Sequence, residues 1–426
     1  MKPLKKPYLL LLLLVISSCF ALLSSCGTST TSSPPTPTPS GGTPTATSTA
    51  LLTPQPTSSP GACGACGAWS TVSSPNVGTS TNFNFLNGVA ALSTHDVWAV
   101  GSYSDGLMLV EHWNGTRWNV VASPNVAGST SDELLGVVAI AANDIWAVGD
   151  YSIKNPASPT QQALIEHWNG TEWSIVQSPS VASEVTVLRA ISAVSATDIW
   201  AIGAGATGPL IIHWNGTTWS VVTSPAGSHD TLSGVTAVSA TDAWAVGSGI
   251  GSYGWQTLIE HWNGTQWTVV ARGSRPGLFT DDLHGVATSS ANDVWAVGTA
   301  YGPTPSSPFN PLIEHWDGSQ WSIVKSPLPG YAAGLNSIAV VSASNIWAVG
   351  NYESEPGEPG PTSTLIEHWN GSTWSVVNSP SPGSYGNDLA AAVQVPATSS
   401  IWAVGFAYRL DIEQNSVYQI LTEFHC

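Results

Sequence analysis

The chain is poor in charge, and above all in positive charge. Only 9% of its 426 residues are charged, and ten Lys and Arg stand against 27 Asp and Glu, for a formal net charge of −17. Three of the basic residues, Lys2, Lys5 and Lys6, lie at the N-terminus, and the others are scattered. Without a basic stripe that could follow phosphates, nucleic acid is a poor candidate partner.

Two further features are missing beyond residue 26. No segment of useful length has apolar residues at the helical period, which favours an all-β domain. No apolar run approaches the roughly 20 residues of a membrane-spanning helix, so the domain itself is not expected to cross a bilayer.

The first 26 residues have the pattern of a signal peptide. A basic start precedes a short apolar run from Leu9 to Leu23. The following "LSSC" resembles a bacterial lipoprotein signal, whose cysteine becomes the lipidated N-terminus, so we expect lipid on Cys26. Alternatives are "ISSC" ending at Cys19 and an ordinary secretory signal without lipid. We therefore expect an extracytoplasmic protein that is anchored to the bacterial cell membrane only through its N-terminal lipid.

Residues 27–67 are rich in Ser, Thr and Pro and nearly free of large apolar side chains. Such a segment cannot bury enough apolar surface to offset its ordering entropy. It is predicted to be a disordered tether between the membrane and a domain at 68–426.

A repeat dominates residues 68–426. The motif "DVWAVG" at 96–101 returns near residues 144, 198, 242, 293, 345 and 400. Six copies are followed by a second module of the type "EHWNGTRWNVVASP", which begins at Glu111 in the first copy. Each unit has four short runs rich in Val, Ile and Trp, which we label strands A to D and which are separated by turn residues. Four-stranded units with a period near fifty residues predict a β-propeller.

The seventh unit stops after strand C, and an isolated strand D, "AWSTVSSP" at 68–75, precedes the first unit. The sequence therefore predicts an all-β, seven-bladed β-propeller of four-stranded antiparallel blades. In this fold the N-terminal strand 68–75 pairs antiparallel with residues 419–425 and closes the ring.

The cysteines near this junction align with a turn. In other units Asn-Gly separates strands C and D, which predicts a type I′ hairpin turn with positive φ at both residues. Aligning "LTEFHC" with "LVEHWN" puts Cys426 at the turn asparagine, and counting back from Trp69 puts Cys66 at the turn glycine. A disulfide between Cys66 and Cys426 is predicted, with Cys63 as the alternative partner of Cys426.

Other repeated residues are assigned to structure. Tryptophans recur at fixed sites, which indicates packing between blades. The "EH" pairs of strand C are not expected to act together or bind metal, since adjacent strand residues point to opposite faces and the copies lie on different blades. No metal or cofactor site is predicted, and "DVWAVG" Asp residues are taken as turn formers.

One end of the units carries the candidate binding residues. The A–B and C–D turns are nearly uniform, whereas the B–C and D–A loops vary in length and content. We call the end with the variable loops the top end, and a rigid scaffold with variable loops at one end is typical of a binding surface. The candidate ligand-binding residues are Tyr103, Tyr151, Trp255, Tyr301, Tyr352, Tyr408, Glu133, Asp282, Asp388 and Arg409.

The repeat resembles those of bacterial secreted propeller proteins, loosely grouped with kelch or galactose-oxidase-like and tectonin-like repeats. The resemblance covers 68–426 and implies a fold more than a function, because such propellers serve as adhesins, glycan binders, scaffolds and occasional enzymes. The kelch double glycine and the Asp-box are absent. We expect a monomeric, non-catalytic binder of a glycan or a cell-surface protein. The alternatives are a glycosidase or polysaccharide lyase that uses Glu133, Asp282 and Asp388, and a structural envelope scaffold.

Overall fold

The computed structural model describes residues 67–78, 83–104, 106–153, 160–179, 185–251, 254–273, 280–302, 307–356, 361–410 and 416–426. Cys26, Cys63, Cys66, the signal peptide and nearly all of the tether lie outside the described residues. The predictions for them, including the disulfide at Cys426, stay predictions. Within the described ranges all the regular structure is β, and none of it is a helix that is long and apolar enough to cross a membrane.

The described residues form 28 strands, as the repeat predicts. In chain order they are β1 (Ser70–Thr71), β2 (Asn84–Ser93), β3 (Asp96–Tyr103), β4 (Leu107–Trp113), β5 (Trp118–Val120), β6 (Ser129–Ala141), β7 (Asp144–Ile153), β8 (Thr160–Trp168), β9 (Trp173–Val176), β10 (Thr186–Ser195), β11 (Asp198–Gly205), β12 (Gly208–Trp214), β13 (Trp219–Val222), β14 (Thr231–Ser239), β15 (Asp242–Gly251), β16 (Gly254–Trp262), β17 (Trp267–Ala271), β18 (Thr280–Ser290), β19 (Asp293–Tyr301), β20 (Asn310–Trp316), β21 (Trp321–Ile323), β22 (Ala332–Ser342), β23 (Asn345–Glu353), β24 (Thr362–Trp369), β25 (Trp374–Val376), β26 (Gly386–Gln394), β27 (Ile401–Leu410) and β28 (Ser416–His425).

Each set of four strands is antiparallel in the order A-B-C-D. We number these sets as strand groups: group 1 is β2–β5, group 2 is β6–β9, group 3 is β10–β13, group 4 is β14–β17, group 5 is β18–β21 and group 6 is β22–β25. One parallel pair, Trp255 with Thr280, joins groups 4 and 5 into a larger sheet. Group 7 is β26, β27 and β28 with β1 as its fourth strand. The predicted pairing of the two chain ends is thus present, with Ser70 opposite Phe424 and Thr71 opposite Glu423.

A tryptophan of strand B links each group to the next. Trp98 of group 1 contacts both Trp168 and Trp173 of group 2, with ring centroids 5.1 and 5.7 Å apart. The same trio recurs around Trp146, Trp200, Trp244, Trp295 and Trp402. Around Trp347 the two partners in group 7 are Trp69 and His425, at 5.6 and 4.6 Å. Trp402 of group 7 reaches Trp113 and Trp118 of group 1. Each trio extends into an apolar cluster between two groups, and this burial is the main source of stability.

The residue that begins "DVWAVG" is a hub rather than a simple turn former. Asp96 Oδ1 accepts hydrogen bonds from Trp98 Nε1 and His112 Nε2, each at 2.9 Å, and the two rings stack 4.3 Å apart. Asn345 accepts the bond of His368 in the same way, because the site needs only an acceptor oxygen. The histidines of the "EH" pairs are therefore held inside their own groups.

The turn between strands C and D is not the predicted type I′ turn. Gly115 has a φ of 90°, but Asn114 is not among the described residues with positive φ. Asn114 Oδ1 instead accepts from Thr116 N, Thr116 Oγ1 and Arg117 N at 3.1, 2.7 and 3.1 Å. Because the side chain caps the turn through one oxygen, only the glycine needs the left-handed region. Asp317 makes the same three bonds in group 5, which explains why it can replace asparagine.

Candidate functional site

The two residues of each "EH" pair make contacts in different places. While His112 bonds within its own group, Glu111 is fully buried and accepts a hydrogen bond from Ser74, which follows β1. The carboxyl groups of Glu166, Glu260 and Glu367 accept in the same way from Ser123, Ser224 and Ser326 of the preceding group. These carboxyl groups lie between strand groups, so they are not paired with the histidines for acid–base chemistry.

Burial changes the charge state of these glutamates. Burial raises the pKa of Glu111, Glu166 and Glu260 to about 7, and that of Glu367 and Glu423 to about 8. The hydrogen bonds from serine, which all of these except Glu423 accept, oppose this rise. Desolvation disfavours the charged form of a carboxyl group. The buried glutamates are therefore largely neutral at mildly acidic pH.

The top end is where the groups differ chemically. There the start of strand A lies opposite the end of strand B, one residue pair per group. The pairs are Phe85 with Ser102, Glu133 with Asp150, Val187 with Ala204, Thr231 with Ser248, Asp282 with Thr299, Gly334 with Asn351, and Asp388 with Phe406. At the opposite end the bond between the first residue of "DVWAVG" and the strand C histidine recurs in groups 1 to 6, as does the capped turn.

Four charged residues from three strand groups interact at the top end, and we call them the polar cluster: Glu133, Asp150, Arg189 and Asp282. Asp150 and Asp282 both act electrostatically on Arg189, whose pKa burial lowers. The pKa of Glu133 rises to about 7, first through burial and then through Asp150. Charges of groups 2, 3 and 5 therefore interact: two carboxyl groups act on one guanidinium, and a third, that of Glu133, is coupled to Asp150.

Amide side chains from the preceding group fix two of the predicted acids. Asn87 Nδ2 donates to Glu133 Oε1 and to the Leu134 carbonyl oxygen, both at 3.0 Å. Asn336 Nδ2 donates to Asp388 Oδ1 at 2.7 Å and to the Leu389 carbonyl oxygen at 3.0 Å. Both asparagines stand at a register shift in strand A, where the irregular backbone directs a side chain to the next group.

Asp150 is the deepest member of the polar cluster. Its side chain is 5% exposed, and Oδ2 accepts from Gln161 Nε2 at 2.6 Å. Oδ1 is buried and has no hydrogen-bond partner among the described residues. Burial raises the pKa of Asp150 to about 6, opposed by Gln161 and Arg189. An acceptor in this position could receive a donor from a ligand.

Aromatic side chains of groups 7 and 1 form a second feature, which we call the aromatic cluster. Phe85 lies 5.0 Å from Phe406 and 5.2 Å from Tyr418, and Tyr418 stacks on Tyr408 at 4.9 Å. Tyr385, 36% exposed, packs 5.6 Å from Tyr408. The cluster combines ring faces with phenol hydroxyls.

The other predicted binding residues are not members of these two clusters, although Tyr301 interacts electrostatically with Asp282 of the polar cluster. Tyr103, Tyr151 and Tyr352 pack against the apolar clusters between groups, and Tyr151 also lines a cleft of about 490 Å³ beside Gln162 and Thr186. A ligand role for these three stays a prediction.

Tyr301, Trp255 and Arg409 also lie toward the top end. Tyr301 packs 6.0 Å from Phe309, and burial and then Asp282 raise its pKa. Trp255 is 39% exposed opposite Ile250, and Arg409 is exposed opposite Val417. Across the described ranges no group of three His, Cys, Asp or Glu could hold a metal ion.

Asp150 and Arg189 were missed by the sequence reasoning. A signal was available, because Asp150 occupies the repeat position that holds small or uncharged residues in the other groups. Comparing the seven units column by column, rather than looking for exposed loop residues, would find it.

The fold is shared with solved propeller structures. A structure of YCF48 bound to a D1 peptide aligns with a TM-score of 0.51 at 15% identity, over 84% of this chain and 96% of that chain. The WD40 repeats of RRP9 align with a TM-score of 0.51 at 11% identity, over 83% and 97%. No family profile and no curated protein matches the sequence. At these identities the likeness concerns the fold alone, and it makes the chain a repeat protein of the β-propeller type.

Proposed function

We propose that the chain is a non-catalytic binding protein built on a closed, seven-bladed propeller, with the seven strand groups as its blades. Support for closure comes from β1, which pairs with β28, and from Trp402, which connects group 7 to Trp113 and Trp118 of group 1 in the way that groups 1 to 6 are connected in turn. An N-terminal strand that completes the last blade removes an open sheet edge.

The observation that carries the binding role is the location of chemical variation. Groups 1 to 6 keep the same acceptor–histidine bond and capped turn, and all seven groups keep the strand B tryptophan, but no two of the seven residue pairs at the top end are alike. If the top-end pairs served only to pack neighbouring groups, the same two residues would be expected in every group. Differences confined to one end favour a surface that is shaped for a partner.

The partner favoured by charge is a protein segment that presents a lysine or arginine side chain. The polar cluster has three carboxyl groups and one guanidinium, and Asp150 Oδ1 lacks a donor among the described residues. A cationic donor that reached Asp150 would form a charge-assisted hydrogen bond. The YCF48 structure, which contains a D1 peptide, is a precedent for peptide recognition on this fold.

A glycan is the second candidate, and the aromatic cluster favours it. Half-buried rings such as Phe85 and Tyr408 offer faces for sugar stacking, and Tyr385 adds an exposed hydroxyl. A glycan array distinguishes this candidate from a protein partner. Binding that is lost in Tyr385→Ala and Tyr408→Ala would support it.

Anchoring through lipid on Cys26 and a tether over residues 27–67 complete the proposal. The Gly67 carbonyl oxygen accepts a hydrogen bond from His425, at the C–D end of group 7. The tether would therefore join the domain at the end opposite the top end.

The test is selection from a random peptide display library. We expect the recovered peptides to be enriched in Lys and Arg, and to bind at least tenfold more weakly to Asp150→Asn and Glu133→Gln. Asp317→Asn is the matched control, since it removes one carboxylate at the other end and restores the turn residue of the other groups. Peptides without basic residues, or equal binding to Asp150→Asn, would contradict the proposal.

An enzyme and a structural scaffold are the remaining alternatives. A reducing-sugar assay on envelope polysaccharides, repeated with Glu133→Gln, Asp282→Asn and Asp388→Asn, detects glycosidase or lyase activity that depends on these acids. A protein that neither binds nor cleaves in these assays would leave the scaffold as the better explanation.

A further inference from the structure

The strand that closes group 7 is held by few bonds. At two residues, β1 is the shortest of the described strands. Beyond its two register pairs, Val72 N donates to the Thr422 carbonyl oxygen and Ile420 N donates to Asn76 Oδ1, each at 2.9 Å. Thr422 Oγ1 donates to the Val72 carbonyl oxygen at 2.5 Å, and Ser70 Oγ donates to the Phe424 carbonyl oxygen at 3.4 Å. Any free-energy cost placed at this joint therefore acts on a strand with only two paired residues.

Glu423, the register partner of Thr71, imposes such a cost because its carboxyl group is buried without a hydrogen-bond partner among the described residues. Its side chain is fully buried, and neither carboxyl oxygen has a hydrogen-bond partner among the described residues. At the same repeat position, the carboxyl group of Glu367 accepts from Ser326 at 2.8 Å. The matching serine of group 6, Ser379, instead lies 2.6 Å from Thr364 Oγ1, so Glu423 lacks the bond that its counterparts receive.

The surroundings of Glu423 supply no positive charge. Its neighbours on the same face of β28 are Leu421 and His425, and that face packs against an apolar cluster. The ionisable groups there are His425 and, on β24, His368, and burial lowers the pKa of both. Within the described chain, β1, β2 and β25 carry no ionisable side chain. Arg409 of β27 and Asp388 of β26 lie at the other end of their strands, opposite Val417 and Phe406.

We propose that Glu423 makes this joint a pH-sensitive latch, in which β1 stays paired with β28 while the carboxyl group is neutral and is released when it ionises. The proposal rests on the ring closure proposed above. A buried charge without a partner is costly, and separation of β1 gives the carboxylate access to water. Latch opening is thereby coupled to proton release.

The direction of the effect follows from the pKa of Glu423. Burial raises this pKa from 4.5 to about 8 in the closed state, and separation of β1 would return it toward its ordinary value. The closed state therefore binds the proton more tightly, and the open fraction grows as pH rises between these two values. For one group the growth approaches about tenfold per pH unit.

Hydrogen exchange with mass spectrometry on the full chain tests this. It is run from pH 6 to pH 8 with reductant, so that no disulfide holds the strands. After correction for the intrinsic pH dependence of exchange, the opening of β1 and β28 should increase at least tenfold over this range in the native protein. In Glu423→Gln the increase should be at least threefold smaller, and the remainder is due to Glu111, whose carboxyl group accepts from Ser74 just after β1.

Glu367→Gln is the matched control, because it changes the same repeat position where a serine donor is present, and it should leave the response of β1 unchanged. If Glu423→Gln does not fold, Glu423→Leu, of similar volume, replaces it. Protected but pH-independent β1 amides would overturn the latch while leaving closure intact. Unprotected β1 amides at every pH would overturn closure itself and the latch with it.

Discussion

Gly203→Ala is expected to destabilise the domain by about 3 kcal/mol or more, enough to consume much of the stability of an ordinary domain. A Cβ atom on Gly203 would lie closer than 3.0 Å to the carbonyl oxygen of Val187 on the neighbouring strand β10. The obstacle is backbone inside a paired ladder, so it cannot rotate away as a side chain would. The two strands would have to separate.

Gly205→Ala is the matched control on the same strand, β11. Its nearest contact would be the Gly208 carbonyl oxygen at 3.4 Å, an ordinary van der Waals distance, and its φ is not in the left-handed region. Chemical unfolding should show a change of at most about 1 kcal/mol, with a slight gain in stability possible because alanine restricts the unfolded chain. Equal losses for the two variants would refute the close-approach explanation.

The free energy of unfolding is expected to fall between pH 5 and pH 8, by up to about 1.4 kcal/mol per pH unit for each group that titrates. The buried glutamates have pKa values of about 7 to 8 in the folded state, above the ordinary value of 4.5. Their contribution is fully present below about pH 4.5 and is lost as pH rises through the folded pKa. The lowered pKa values of His368 and His425 oppose this below about pH 6.5.

Urea unfolding at successive pH values measures this slope. Glu166→Gln should reduce it, because the amide is neutral at every pH and still offers Ser123 an acceptor. Glu172→Gln, an exposed position in the same strand group, should leave the slope unchanged. A stability that rises steadily from pH 5 to pH 8 would show that the buried carboxyl groups are not neutral in the folded protein.

The architecture could largely be predicted from the sequence because every unit repeats the same pattern of strand and turn residues. Seven copies of one motif average out local ambiguity, and the isolated strand at 68–75 predicts the pairing that places Ser70 opposite Phe424. The turn type was not accessible in the same way. Asn-Gly fits two geometries, and the choice depends on a side-chain oxygen that accepts the amides of the next residues, as Asn114 does.

The candidate site was predicted only in part. Glu133 and Asp282 were found from their place at the start of strand A, but the interaction of Asp282 with Arg189, and of Arg189 with Asp150, depends on how three groups converge. The tyrosines that follow strand B were selected for their place near the top end. Tyr103 and Tyr352 directly follow Ser102 and Asn351, which belong to the top-end residue pairs. Because adjacent strand residues point to opposite faces, the two tyrosines face the apolar clusters between groups. That alternation could have been applied to the sequence.

Peptide complementation is the most direct test of the central claim, that residues near the N-terminus form the last strand of the ring. Thermal unfolding is measured for a chain that begins at residue 79, with and without a synthetic peptide of residues 67–78. We expect the shortened chain to lose about 3–5 kcal/mol, the scale for removing a buried tryptophan such as Trp69. The peptide should restore the loss, and a Trp69→Ala peptide should not. A shortened chain as stable as the full one would contradict closure by β1.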